Sequence, residues 1–158
     1  MADKNTIRLD RLRFLIGRWQ GHGEGFGQKS EVEHTYQFIL QNQFIQSKTK
    51  SITLGQDGSV KEIHEDLGIF SFDVARQKVI LRGFYSEGYV NIFVMEDRNE
   101  DGNQLVFTTE KTENANGMMA RLRMEVISEN EYEMILDLAQ QGTEFKPCQK
   151  TRMRKVQN

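Results

Sequence analysis

Gly17-Arg18-Trp19-Gln20-Gly21-His22-Gly23-Glu24-Gly25 decides the fold, because it combines the only tryptophan with glycine at every second position. Alternate side chains of a β-strand share a face, so Trp19 lies beside a row of glycines while His22 faces the other way, towards solvent. Such a row indicates that something approaches the backbone closely or that the strand bends sharply. Two explanations remain open: the glycines allow coiling at a barrel corner, or a ligand lies over Gly21 and Gly23.

Length and composition predict one domain over residues 1–158. The formal net charge of -2, with charges of both signs interspersed, predicts no nucleic acid and no membrane as a partner. No apolar run approaches the roughly 20 residues that a spanning helix needs. Cys148 is the sole cysteine, which excludes an internal disulfide and fits a cytoplasmic protein.

A short helix is predicted over Ile7–Ile16, because Leu12, Leu15 and Ile16 recur at helical spacing. Asn5 or Thr6 can cap this helix, and Gly17 is placed to end it. Trp19 follows without a spacer, so we expect the apolar side of the helix to plug one end of the fold rather than to bind a partner.

After the helix the apolar period is almost entirely two, as in strands with one solvent-exposed face. The predicted strands are Gly17–Gly25, Ser30–Leu40, Phe44–Leu54, Val60–Phe72, Lys78–Ser86, Tyr89–Glu96, Gln104–Glu113, Met118–Ile127, Tyr132–Ala139 and Phe145–Val156. Turn signals separate them at 55–58, 73–77, 87–88, 98–103, 114–117 and 141–143. An open sheet of this size would leave two long edges unpaired. The sequence therefore predicts an all-β fold, a closed ten-stranded antiparallel β-barrel whose N-terminal helix caps one end.

Three strands carry further expectations. Phe44–Leu54 is the most polar, with small hydroxyl side chains on one face, and is predicted to be an exposed rim. Gly68 predicts a bulge or bend in its strand. The hairpin over residues 79–95 is apolar on both faces, so we expect a homodimer in which one face of that hairpin covers the same face of a second copy.

The opening Gly17-x-Trp19-x-Gly21-x-Gly23 resembles the motif that opens nitrobindin-like barrels, haem-binding relatives of the fatty-acid-binding proteins and lipocalins in the calycin group. The resemblance extends over nearly the whole chain. It implies a calycin-type barrel, and it implies that a closing-strand arginine, Arg152 or Arg154, lies across Trp19. In nitrobindins a histidine near the C-terminus holds the haem iron. No histidine follows His64 here, which leaves Cys148 as a candidate haem ligand and a small core residue as its alternative role.

No nucleophile, phosphate-binding or dinucleotide-binding motif occurs, so the sequence favours a binding protein over an enzyme. The three histidines lie on different predicted strands without metal-ligand spacing, and no metal site is predicted. His34 alternates with core residues, so it either faces a cavity or is a hydrogen-bonded barrel histidine. The candidate ligand-binding residues are Trp19, Gly21, Gly23, His34, Tyr36, Phe38, Phe93, Met124, Arg152 and Arg154.

These observations predict a barrel that binds a small hydrophobic molecule, fatty-acid-like or a tetrapyrrole, in its interior. An arginine that points inwards could pair with a carboxylate of such a ligand. Two alternatives remain. The first, implied by the resemblance, is a haem-dependent peroxynitrite isomerase. The second is a barrel whose core is filled by its own side chains and which acts as an interaction protein.

Overall fold

The computed structural model describes residues 8–97 and 102–157, which form a closed barrel of ten antiparallel strands. The strands are β1 (Gly17–Gly25), β2 (Gln28–Ile39), β3 (Phe44–Leu54), β4 (Val60–Asp73), β5 (Lys78–Tyr85), β6 (Val90–Met95), β7 (Gln104–Glu113), β8 (Met118–Ser128), β9 (Glu131–Gln140) and β10 (Lys146–Lys155). Each strand pairs with its neighbours in sequence, and β1 also pairs with β10, which closes the barrel. The predicted fold is confirmed.

The glycines of β1 allow β10 to approach its backbone. A Cβ atom on Gly21 would lie 1.9 Å from the carbonyl oxygen of Arg152, and one on Gly25 would lie 2.6 Å from that of Cys148. A Cβ atom on Gly23 would lie 2.7 Å from the Oγ of Ser30. The space over the glycine row is thus occupied by β10 and β2, so the ligand explanation is wrong at Gly21 and Gly23, and it is the neighbouring strands that approach the backbone closely.

The N-terminal helix is a 3-10 helix over Asp10–Leu15, shorter than the predicted one. The predicted caps Asn5 and Thr6, and the first predicted helical residue Ile7, lie outside the described residues. Leu9, Leu12 and Leu15 are fully buried and belong to the core cluster, which confirms that the helix plugs one end of the barrel. Gly17 follows with a φ of 132°, a backbone conformation that glycine adopts most readily.

The half of the barrel next to the helix is filled. Its buried side chains come from strands all around the barrel and include Trp19, Ile45, Phe70, Met95, Leu105, Phe107, Met124, Tyr132 and Met153. The turns that join β1 to β2, β3 to β4, β5 to β6, β7 to β8 and β9 to β10 lie at the opposite end. The filled half therefore forms the floor of whatever space remains near those turns.

Two local expectations, a bulge or bend at Gly68 and a turn over 98–103, are not confirmed by the structure. The prediction for Gly68 was a bulge or a bend; the β3–β4 register passes this residue without a shift, so the bulge is wrong, and the irregularity in this pair lies at Thr53/Leu54. A Cβ atom on Gly68 would lie 2.4 Å from the Oγ of Ser47, so this glycine allows a close cross-strand contact instead. The predicted turn over 98–103 falls largely outside the described residues. No helix within 8–97 or 102–157 is long and apolar enough to cross a membrane.

Candidate functional site

A cavity of about 650 Å³ occupies the half of the barrel away from the helix. Its rim includes Phe26 in the β1–β2 turn, and Asn114, Ala115 and Asn116 in the β7–β8 turn. Phe26 is 68 % exposed, an unusual place for a large aromatic ring. Cavities that enclose drug-sized molecules have volumes of roughly 300–1,000 Å³, so this one is large enough for a small organic ligand. The filled-core alternative does not describe this half of the barrel.

The cavity has one polar wall and one apolar wall. The polar wall includes the hydroxyl side chains of β3, and the apolar wall comes from β8 and β9. The hydroxyl residues are Ser47, Thr49, Ser51 and Thr53, and the apolar residues are Met118, Ala120, Leu122, Met134, Leu136 and Leu138. The prediction that β3 is an exposed rim is therefore wrong for its hydroxyl face, which points into the barrel. A ligand in this space meets hydrogen-bonding groups on one side and only aliphatic or thioether groups on the other.

At the floor of the cavity His34 forms a hydrogen-bonded triangle with Tyr36 and Tyr132. The Tyr132 hydroxyl oxygen lies 2.7 Å and the Tyr36 hydroxyl oxygen 3.1 Å from the Nδ1 of His34, and the two oxygens are 3.1 Å apart. Burial lowers the pKa of His34 to about 4, although the charge of Asp66 opposes the shift. Burial also raises the pKa of both tyrosines, so all three groups are neutral near pH 7.

Counting protons in the triangle favours the His34 tautomer that carries its proton on Nε2. In that tautomer Tyr132 donates to Nδ1 and Tyr36 donates to the oxygen of Tyr132, so both hydroxyl protons have an acceptor. With the proton on Nδ1, one hydroxyl proton would have no acceptor inside the triangle. The Nε2 of His34 has no hydrogen-bond partner among the described residues, and His34 lines the cavity. His34 thus presents an N–H donor to the interior.

At the mouth of the cavity His64 lies between two carboxylates. Its Nδ1 is 2.5 Å from Glu87 Oε1, and its Nε2 is 3.7 Å from Asp66 Oδ2. Hydrogen bonding to Asp66 and then to Glu87, together with the charges of both carboxylates, raises the pKa of His64 to about 9 against partial burial. His64 is therefore a cation at neutral pH whose charge is already matched by these two neighbours.

Two tyrosines lie beside this ion-paired group. The rings of Tyr85 and Tyr89 stack with centroids 4.3 Å apart and an interplanar angle of 15°, and both line the cavity. Tyr85 also lies 6.2 Å from the His64 ring, measured between centroids. Burial raises the pKa of both hydroxyls, for Tyr89 to about 12, so neither ring ionises near neutral pH. The mouth thus combines carboxylates with neutral aromatic rings.

The structure places some of the predicted site residues at the cavity and others away from it. His34, Tyr36 and Phe93 line its lower part. Trp19 and Met124 are buried but do not line the cavity, since they belong to the filled half. Phe38 packs against the core beside the helix, where the Arg13 guanidinium lies 5.3 Å from its ring centroid. The predicted apolar site residues are therefore divided between the filled half of the barrel and the cavity.

The predicted contact between a closing-strand arginine and Trp19 is wrong. Arg152 and Arg154 lie on the outer surface, where both pair with Glu131. Lys155 takes the position over Trp19 instead, with its Nζ 5.4 Å from the ring centroid and 3.1 Å from the carbonyl oxygen of Phe14, to which it donates. Neither arginine can pair with a carboxylate inside the barrel.

Cys148, the candidate haem ligand, does not line the cavity. It lies at the irregularity of β10 between Pro147 and Gln149, and its Sγ donates to the carbonyl oxygen of Lys146 at 3.2 Å. A shallow outer groove contains it instead. The interior positions of β10 that line the cavity are Gln149 and Thr151. The cysteine is therefore in the wrong place to bind iron inside the barrel.

Sequence reasoning missed most of the polar cavity residues, among them His64, Asp66, Tyr85 and Glu87. For His64 and Asp66 a signal was present as alternation along β4, where Glu62, His64 and Asp66 share a face. Alternation alone does not tell which face of a polar strand points inwards, so none of these residues was among the predicted site residues.

Comparison with known proteins places this barrel in a described group. Residues 8–155 match the family model described as "THAP4-like, heme-binding beta-barrel domain". The crystal structure of Rv2717c from M. tuberculosis is similar at 16% identity and a TM-score of 0.69, over 95% of this chain and 98% of that one. The S-type phycobiliprotein lyase CPES from Guillardia theta is similar at 9% identity and a TM-score of 0.60, over 99% of each chain. No curated protein matches the chain.

Proposed function

This chain belongs to the family of THAP4-like, heme-binding beta-barrel domains, and from that premise we propose that its barrel binds a small hydrophobic molecule. The observation that carries the proposal is the cavity of about 650 Å³, which has an apolar wall on β8 and β9 and the buried N–H donor of His34 at its floor. Binding sites of this kind are mostly apolar, with a few polar groups that orient the ligand.

A neutral solvatochromic dye, Nile red, tests this proposal. We expect one dye molecule per chain, with blue-shifted emission. Leu136→Trp places a large ring in the cavity and should lower the dye affinity by about tenfold or more. Ile135→Trp adds the same ring on the outer face of β9 and should leave the affinity unchanged. Equal effects of the two variants, or no binding by the parent protein, would contradict a ligand site inside the barrel.

Haem binding of the nitrobindin type, with peroxynitrite isomerisation, is the second candidate, and membership of the family favours it. The residues fit an iron ligand at one position, because His34 is a neutral imidazole whose Nε2 is directed into the cavity. His34 would have to carry its proton on Nδ1 and donate it to Tyr132, at the cost of one hydroxyl hydrogen bond. Haem would supply an iron centre that can bind a small oxidant.

The mouth of the cavity is less suited to haem than its floor. Porphyrin propionates are anionic, and Glu62, Asp66 and Glu87 would face them. We therefore rank haem second. A Soret band at one haem per chain that survives gel filtration, disappears in His34→Ala and persists in Cys148→Ala would reverse that order. Without haem binding, the same titration gives only the broad absorbance of free haem.

We further propose a homodimer through the outer face of the β5–β6 hairpin. Phe84, Val90, Ile92 and Val94 lie at least partly exposed on this face, and Phe84 is 43 % exposed, whereas Ile80 on the same face is already buried in the single chain. Sedimentation at micromolar concentration should give a dimer, and Ile92→Glu should convert it to a monomer. Ile127→Glu, at an exposed apolar position on β8, is the matched control and should remain dimeric. A monomeric parent protein would contradict the proposal.

The remaining partner and location proposals rest on charge and composition. The net charge of -2 and the pairing of Arg121 and Arg123 with Asp137 on the outer surface support a protein without a nucleic-acid partner. The single cysteine supports a cytoplasmic location. Filter binding with duplex and single-stranded DNA, and fractionation of the host cell, test these two proposals.

A further inference from the structure

The mouth of the cavity has more negative than positive groups. Glu62, Asp66 and Glu87 line it, and His64 is the one cation among the described lining residues. His64 is already paired with Asp66 and Glu87, and Glu62 has no ion pair among the described residues. The residues described as lining the cavity include no lysine or arginine. The described lining residues at the mouth therefore carry more negative than positive charge.

Aromatic rings accompany these carboxylates. The Tyr85 and Tyr89 rings line the same part of the cavity, and Phe26 lies exposed on the rim. Aromatic faces attract cations through the negative potential above the ring, and carboxylates next to such faces are typical of sites that bind ammonium groups. A carboxylate ligand, in contrast, would lie beside charges of its own sign, and the described part of the lining has no free cation to offset them.

The opposite end of the cavity has an orienting group of its own. His34 is only 6 % exposed, and its Nε2 faces the cavity without a partner among the described residues. Between this donor and the mouth lies the apolar wall of β8 and β9, which includes Leu122, Leu136 and Leu138. The cavity is therefore polar at both ends and apolar along one side between them.

We propose that the ligand of this barrel is a cationic amphiphile: an ammonium group at the mouth against Glu62, Asp66 and the Tyr85–Tyr89 pair, with its apolar body along the β8–β9 wall. This inference rests on the proposed function, because it assigns a chemical class to the molecule in the same cavity. A polar acceptor at the far end of that molecule would meet the Nε2–H of His34.

Three probes with one alkyl chain test the charge preference: decyltrimethylammonium, decanol and decanoate, each in competition with Nile red below its micellar concentration. We expect the affinity to fall in that order, with about a tenfold or greater difference between the ammonium and the carboxylate at low salt. Added salt should weaken the binding of the ammonium and leave that of decanol unchanged.

Variants locate the effect at the mouth. Glu62→Gln and Asp66→Asn should each lower the ammonium affinity several-fold without changing that of decanol. Glu62→Gln also leaves the His64 ion pairs in place, so it reports on the charge alone. Glu65→Gln removes an exposed carboxylate on the outer face of the same strand and serves as the matched control.

The outcomes separate this inference from the proposed function. If Nile red and decanol bind but decanoate binds as tightly as decyltrimethylammonium, the cationic preference is wrong and the binding barrel stands. An equal effect of Glu65→Gln and Glu62→Gln would also overturn the preference. If neither the dye nor any of the three probes binds, the proposed function itself fails.

Discussion

The indole Nε1 of Trp19 donates a 2.7 Å hydrogen bond to the backbone carbonyl of Leu15, which ties the first strand to the helix that plugs the barrel. The same ring lies 4.7 Å from the ring of Tyr132, measured between centroids. Tyr132 in turn donates to His34 at the cavity floor. Trp19 and Tyr132 together thus connect the plug, the filled half of the barrel and the candidate site.

Removal of the Trp19 ring should destabilise the protein strongly. Trp19 is fully buried, and the adjacent Gly21 has no side chain to fill the space, so we expect Trp19→Ala to lower the free energy of unfolding by about 3–5 kcal/mol. Trp19→Phe keeps most of the apolar volume but loses the bond to Leu15, and should cost less. Urea unfolding measures both changes. Native emission typical of a fully exposed indole would contradict the placement of the ring.

The cation over Trp19 gives a second prediction. Lys155→Met keeps an unbranched apolar stem but removes the contact with the ring and the bond to Phe14, so we expect a loss of about 1–2 kcal/mol of stability. Arg154→Met should change stability by less than about 0.5 kcal/mol, because its ion pair with Glu131 is exposed. Urea unfolding of both variants tests whether Lys155 is the cation that stabilises the ring of Trp19. A larger loss of stability in Arg154→Met than in Lys155→Met would contradict this.

The fold could be predicted from sequence because the period-two pattern recurs in strand after strand. The bounds of β3 and β7 agree with the prediction, and turn residues such as Gly58 and Gly142 have the positive φ that their turns require. The helix was predicted less well, since its apolar spacing does not distinguish an α-helix from a shorter 3-10 helix.

The site was harder to predict because alternation groups side chains by face without saying which face is inside. On β3 neither face is strongly apolar, so the whole strand was predicted to be an exposed rim, although the hydroxyl face of Ser47 and Thr49 points inwards. The closing strand posed the same difficulty. Lys155 is directly opposite Trp19 in the β1–β10 register, so it shares the face of the ring, while Arg154 shares that of Gln20. Only the register itself reveals this.

The buried histidine predicts a loss of stability in mild acid. Burial holds the pKa of His34 at about 4 in the folded state, against an ordinary value of 6.5. Below pH 6.5 position 34 binds a proton in the unfolded chain but not in the folded protein, so the contribution of His34 to stability falls by about 3 kcal/mol as the pH drops from about 6.5 towards 4.

Urea unfolding between pH 7 and 5 measures how the free energy of unfolding changes with pH in each variant. His34→Gln should flatten this slope, however much the substitution itself lowers stability at pH 7. His22→Gln changes an exposed histidine on the neighbouring strand and keeps His34, so the slope should persist. An unchanged slope in His34→Gln would show that another group causes the acid sensitivity.

The rim residue Phe26 gives a prediction in which stability and binding change in opposite directions. Phe26 and Gly27 have φ values of 53° and 73°, so the β1–β2 turn places a phenylalanine in the left-handed region, where asparagine is favoured. We expect Phe26→Asn to raise the free energy of unfolding by about 1 kcal/mol. It should also weaken Nile red binding, because it removes an exposed ring from the cavity rim.

Leu40→Asn is the control, since Leu40 is exposed with a φ of 50° in the β2–β3 turn at the opposite end of the barrel. It should stabilise the protein without changing dye affinity, and equal dye binding by all three proteins would show that Phe26 has no part in the site.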